Sequence, residues 1–253
     1  MKKTIYTLII FLVSIQAKGE LGETQITAEE GIEVFQKEKY YLLKKNVEIV
    51  SDNFNLNADV VKAYFEKDLY DIINIYAEGN VSLDSKEKGI NATGNVLEFS
   101  FNEETIKITG ANSVLNLTNC SMFSNGIIHV NNSVGTFYLN GNDSTLKNED
   151  IFVSGKIIDG KFLSNNDRNE IVELNVVDEN ISNIKTEKID MYSLKAKYNK
   201  NNNLIELNEK VKVIRGDEII TGDYGYVDLE KNSYKVTSNN SKKVKVLIKQ
   251  SNE

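Results

Sequence analysis

Few side chains in this sequence are equipped for chemistry, and their spacing is the first clue to what the chain does. Carboxylates recur beside glycines, as Asp59, Glu78, Asp217, Glu218 and Asp223. Two carboxylates facing one cleft could hydrolyse a glycoside, one as acid and the other as base or nucleophile. These stand instead in equivalent places of successive sequence phrases, flanking Gly79, Gly94, Gly216 and Gly222. A polar residue that recurs with a turn ordinarily serves the turn, because Asp, Asn and Gly supply its local hydrogen bonds and positive φ. The one histidine, His129, lies in the alternating run 127–130 and reads as a strand residue. The one cysteine, Cys120, excludes an intramolecular disulfide. With one His and one Cys, a zinc site would have to rest on carboxylates, against the metal's preference for nitrogen and sulfur. A histidine-dependent triad has a single candidate and no nucleophile elbow beside it. The expectation is a protein that is not an enzyme, with no metal and no cofactor.

What must position these residues is a strand-turn-strand phrase returning at intervals of about thirty residues. It reads as residues 46–50 followed by 56–65, then 78–83 followed by 90–99, and near the end 210–215 followed by 219–229, with a weaker copy at 113–117. Alternating apolar and polar residues at such a period predict a stacked β architecture in which one unit cannot bury its apolar face alone. Short β-type runs at 72–76, 105–109 and 204–207 fit the same pattern, and 29–41 reads as strand by alternation. Between about 140 and 167 the chain is richer in Asn, Asp, Ser and Gly, which predicts shorter strands or a looser connection between two modules, about 24–140 and 168–250. The closing run 243–249 sets lysines on one side of a terminal strand, a known protection of sheet edges.

Within each phrase alternation points one row of side chains inward. The row comprises Val47, Ile49, Leu56, Ala58, Ile75, Val81, Leu83, Ile90, Ala92, Val96, Phe99, Ile106, Ile108, Leu115, Leu117, Val211, Val213 and Ile219. If the two faces of a long stack are splayed, this row lines a groove suited to acyl chains, each buried methylene contributing roughly 0.8 kcal/mol. If they close, the row is the filled core of a structural β-solenoid. A carbohydrate-active β-helix is the third reading.

The start of the chain, Met1 and Lys2-Lys3 followed by an apolar run at 5–15 and small or polar residues at 17–19, has the layout of a secretory signal peptide. The run is shorter than the roughly 20 apolar residues that span a bilayer. Residues 1–19 are therefore expected to be a signal and 20–253 the mature β protein. The net charge of −7, with no basic stripe, speaks against nucleic acid. The absence of proline favours uninterrupted ladder hydrogen bonds.

The phrases Ala77-Glu-Gly-Asn-Val81, Asn91-Ala-Thr-Gly94, and Val211-Lys-Val-Ile-Arg-Gly-Asp217 with Thr221-Gly-Asp-Tyr224 and Val227-Asp-Leu229 resemble the OstA-like periplasmic proteins of lipopolysaccharide transport. The resemblance covers most of 24–248, and is specific in the first two repeats and the last. It implies an all-β fold, an elongated β-jellyroll built from stacked antiparallel strand repeats, whose V-shaped interior carries the lipid's acyl chains. It also implies a periplasmic bridge whose partners are lipopolysaccharide and the related β-jellyroll domains of the inner-membrane clamp and outer-membrane translocon, joined by edge-strand pairing, with head-to-tail self-association. The clamp's transmembrane helix is not provided by the run at 5–15, and 253 residues leave no room for the translocon's barrel. The soluble bridge is the member expected.

Overall fold

A computed structural model describes residues 24–67, 71–87, 89–165, 168–239 and 243–248; the expected signal segment lies outside them. The chain forms β1 (Gln25–Thr27), β2 (Ile32–Phe35), β3 (Tyr40–Val50), β4 (Asn55–Phe65), β5 (Ile72–Ser85), β6 (Ile90–Ser100), β7 (Thr105–Thr109), β8 (Ser113–Leu117), β9 (Cys120–Ser124) and β10 (Ile127–Asn131). It continues through β11 (Thr136–Asn148), β12 (Phe152–Asn165), β13 (Arg168–Lys185), β14 (Asp190–Asn199), β15 (Leu204–Arg215), β16 (Glu218–Asp228), β17 (Ser233–Thr237) and β18 (Lys245–Ile248). All are joined antiparallel in one 18-stranded sheet, the all-β architecture the repeats predict. The segment 29–41 is β2, a turn and the start of β3 rather than one strand.

The sheet is creased down its length. Almost every long strand pairs with its neighbour in two blocks separated by a register shift, as between Lys44 and Val47, Glu78 and Val81, and Asn208 and Val211. A bulge bends a strand and raises its twist, so shifts stacked rung on rung fold the sheet along one line. The crease also splits whole rungs. The two halves of β6 pair separately with β7 and β8, the halves of β11 with β10 and β9, those of β3 with β2 and β1, and those of β16 with β17 and β18. The result is a stack of V-shaped rungs with two arms. Arm I holds β2, β7, β10 and β17, and arm II holds β1, β8, β9 and β18.

The apex of the V is lined by small side chains. Register pairs Val47 with Ala58, Val81 with Gly94, Ser113 with Ser124, Ser144 with Gly155, Ser182 with Ser193, and Val211 with Gly222. Small residues let the arms converge, and a Cβ on Gly94 would come within 2.4 Å of Ile108 on the other arm. A bulge interrupts the ladder and leaves carbonyls to be satisfied otherwise. The buried serines do this: the Ser113 hydroxyl donates to the Gly110 carbonyl at 2.9 Å, Ser144 to Gly141 at 2.9 Å, and Ser182 to Ser193 at 2.7 Å. On the outside of the bend the backbone turns left-handed, at Lys45-Asn46, Gly79-Asn80 and Glu209-Lys210.

The stretch expected to have short strands or a loose connection is spanned by a long strand, β12, which leads into the longest, β13. β12 runs 14 residues and β13 runs 18, paired from Phe152 to Asn165. Asn, Ser and Gly enrichment there marks crease positions rather than loops.

Candidate functional site: the interior and its mouth

The inner faces of both arms form a single apolar cluster running the length of the stack. Of the residues expected on the inner row, Val47, Ile49, Leu56, Ala58, Ile75, Val81, Leu83, Ile90, Ala92, Ile106, Ile108, Leu115, Val211 and Val213 are buried in it. Phe99 and Leu117 pack against it while remaining partly exposed. Val96 and Ile219 do not belong to it. The crease bulge at Asn95 reverses the inward parity of β6, so Leu97 and Phe99 point in while Val96 pairs with Glu78 and Thr109 on the outer face. In β16 it is Ile220 that pairs with inward Val213; Ile219 pairs with Ile214 and Leu247 on the outside. The same parity reversal hid half of the interior from a strand-by-strand reading. Leu43, Val61, Ala63, Ala77, Leu97, Ile128, Leu139 and Ile158 on arm I are buried as well. The signal was present as alternation resumed one residue out of phase after each crease.

The interior is packed rather than open from end to end. Leu43, Leu56, Leu115, Leu146 and Ile158 have no exposed surface. The open space lies at the mouth, where the tips of the arms approach each other. An apolar cavity of about 180 Å³ is lined by Asn53, Phe54, Leu56, Ile75, Leu83, Ser85, Ile90, Leu97, Phe99 and Phe101. No charged side chain lines it. Phe54 at the tip of arm II meets Phe101 at the tip of arm I, ring centroids 6.3 Å apart, and Phe99 packs edge-on against Phe101 at 4.7 Å. A second cavity, about 470 Å³, lies further along the mouth among Asn119, Asn148, Glu149, Asp150, Ile151, Asn169, Glu170, Ile171, Thr186, Tyr198, Lys200 and Leu229. Its rim is polar, with Glu149 and Asp150 beside the Glu170–Lys200 ion pair and several asparagines. Burial, and then the charge of Asp150, hold the Tyr198 phenol above its ordinary range.

At the wall of the second cavity the arms are tied together. The Asn119 amide nitrogen donates to the Asn169 carbonyl at 3.0 Å, and the Asn119 oxygen accepts from the Asn169 N–H at 3.4 Å. Near the carboxyl end Arg215 donates to the Asn232 carbonyl at 3.3 Å, and the Tyr234 hydroxyl donates to Glu218. That bond, and then burial, raises the Tyr234 pKa.

The recurring carboxylates serve the crease and the tips. Asp59 accepts from the Asn80 amide at 3.0 Å, Glu78 from the Tyr76 hydroxyl at 3.1 Å, and Asp223 from the Asn239 N–H at 3.0 Å. Asp217 at a tip and Asp223 at the crease stand about 20 Å apart along β16, at 3.3 Å per residue, beyond the reach of a paired acid and base. Among the described residues no group of three or more His, Cys, Asp or Glu could hold a metal ion. Cys120 is buried, which pushes its thiol up to about 12. His129 is exposed on the outer face of β10, paired with Lys107 and Tyr138.

A protein-family model described as LptA/(LptD N-terminal domain) LPS transport protein matches residues 25–158. One solved structure similar to this chain is that of LptH, the LptA homologous periplasmic component of the lipopolysaccharide transport device of Pseudomonas aeruginosa. It aligns at 12% identity and a TM-score of 0.43, over 52% of this chain and 95% of that one. No curated protein matches the chain.

Proposed function

Because the chain belongs to the LptA/(LptD N-terminal domain) family of lipopolysaccharide transport proteins, we propose that it is a non-catalytic periplasmic bridge that shields the lipid's acyl chains between its two arms. The observation that carries this reading is the uncharged, phenylalanine-rimmed opening into a continuous apolar interior. A hydrocarbon chain entering there exchanges water for apolar surface, and neither a catalytic group nor a cofactor is needed. The acidic balance of the chain leaves the phosphates of the lipid to solvent.

The ends of the stack supply the contacts of a bridge. Among the described residues β1 and β2 pair only with β3, and β17 and β18 only with β16, so each end presents an unpaired edge. Apolar side chains are exposed there, with Ile32 at 47% and Ile248 at 74%. The first end carries Glu30 and the ion pairs Glu29–Lys45 and Glu33–Lys44, the last Lys235, Lys243 and Lys245. Unpaired edges of this kind fit strand addition by the jellyroll domains of the inner-membrane clamp and outer-membrane translocon, or by a second copy.

The test is a photo-crosslinker at Leu83 or Phe99, with outward Val96 as control. Lipopolysaccharide is expected to be labelled from the first two positions and not from the third. Equal labelling at all three, or none, rejects the carrier reading. One observation favours a second reading, a structural solenoid: most of the interior is filled. Depletion separates the two, since loss of a scaffold does not strand lipid at the inner membrane.

A further inference from the structure

At mid-length a side chain of arm II reaches across the mouth to the backbone of arm I. Asn119 sits in the turn between β8 and β9, at the tip of arm II. Asn169 follows the turn into β13, at the tip of arm I and fifty positions further along the chain. Both polar atoms of the Asn119 amide engage Asn169 backbone, one as donor and one as acceptor, so the side chain copies a ladder rung between strands that do not otherwise pair. Cys120 and Met122 in the adjoining strand and Ile171 in β13 are buried in the common apolar cluster, and Ile171 lines the second cavity together with Asn119 and Asn169. The uncharged cavity at Phe54 and Phe101 lies on one side of the bridge, and on the other the bridge itself lines the second cavity, with Asp150 and the Glu170–Lys200 ion pair.

We propose that Asn119 is a latch dividing the interior into two compartments. A hydrocarbon chain is admitted at the Phe54–Phe101 mouth and passes toward β11–β16 only when the Asn119–Asn169 bridge opens. The physical reason is that an alkyl chain can replace an apolar contact but offers no partner to a separated amide and peptide group. The role in cargo passage rests on the carrier reading; the latch itself can be tested without cargo.

Cys120, the one cysteine of the chain, is the adjoining residue and is buried, so its thiol reports the opening. The rate of maleimide modification of the intact protein is measured at fixed pH. Asn119→Ala is expected to raise it roughly fivefold, the effect of losing a hydrogen bond of ordinary net strength. Asn183→Ala removes a comparable bond, to the Met191 carbonyl at 3.1 Å and beside the crease, and is expected to leave the rate unchanged. Equal acceleration in both variants, or none in Asn119→Ala, overturns the latch. Should Asn119→Ala fail to fold, Asn119→Asp keeps the acceptor and loses the donor, and a smaller rise is expected; no rise there overturns the proposal equally. With lipopolysaccharide added, a crosslinker at Leu83 is expected to label in the native protein and one at Ile171 only in Asn119→Ala. Labelling at both in the native protein overturns the latch and leaves the carrier reading standing. Labelling at neither in any variant removes the carrier reading and the latch's part in passage with it.

Discussion

The mouth at Phe54–Phe101 and the mouth at Asn119–Asn169 are crossed by contacts of opposite character. The first is a tilted aromatic pair, which has little angular demand, and it lies over open space. The second is a pair of hydrogen bonds, which weaken steeply when lengthened or bent, and it stands at the wall of the second cavity. An aromatic contact is lost gradually and can be replaced by any apolar guest. A side chain bonded to backbone is either engaged or broken, and breaking it leaves two peptide groups and an amide to find water. One fold thus holds a yielding closure and a resisting one about midway along the same seam.

Core truncation breaks this comparison most forcefully. Leu146 lies in the filled segment near the latch and is fully buried, whereas Leu83 lines the open cavity. Leu146→Ala is expected to cost about 2–5 kcal/mol, since the packed surroundings relax only partly around the void. Leu83→Ala is expected to cost about half as much, because its neighbours already border open space and the lost contacts are fewer. Urea unfolding at constant slope measures both. Equal costs would mean that the two segments are packed alike.

A smaller effect sharpens the same contrast through pH. Burial moves the Cys120 thiol from 9.0 to about 12. A group that holds its proton more tightly when folded adds stability that is fully present below the unfolded value and lost as pH rises through the folded one. Stability should therefore fall between about pH 9 and 12, by up to about 1.4 kcal/mol per pH unit. Denaturation midpoints of the native protein should decline more steeply over that window than those of Cys120→Ala. Parallel curves would show that water reaches the thiol beneath the latch.

How much of this was legible in the sequence depended on which residues occupy the crease. Where it is built from Val47, Ala58, Val81, Gly94, Val211 and Gly222, alternation continues into it and the repeat is plain. In the middle of the chain the same apex positions are Ser113, Ser124, Ser144, Ser182 and Ser193, and polar residues there read as turn. Around Ser144 and Ser182 the strands are in fact long, 13 residues in β11 and 18 in β13, because the serine hydroxyls satisfy the bend internally and the ladder resumes beyond it. Val96 and Ile219 were misplaced for a related reason. Period-2 counting fails by one residue wherever the partner strand, rather than the strand's own pattern, sets the phase. The mouth was not legible at all: Phe54, Phe101, Asn119 and Asn169 lie in or beside turns, and what brings them together is the stagger between arms, which no local pattern records.

The smallest expected effect concerns the yielding closure. Phe101 is 36% exposed and contributes to the mouth through its contacts with Phe54 and Phe99. Phe101→Ala removes those pairs, worth about 0.5–1.5 kcal/mol beyond area, from a residue that is already partly in water. Stability is expected to drop by no more than about that amount. The consequence for access should be local: the uncharged cavity widens, a hydrophobic dye binds there more strongly, and the modification rate of Cys120 stays that of the native protein. That pattern is the mirror image of Asn119→Ala, in which the thiol becomes reactive and the Phe54 cavity is unchanged. If Phe101→Ala instead exposes Cys120, the seam opens as one unit and the difference between its two closures carries no functional weight.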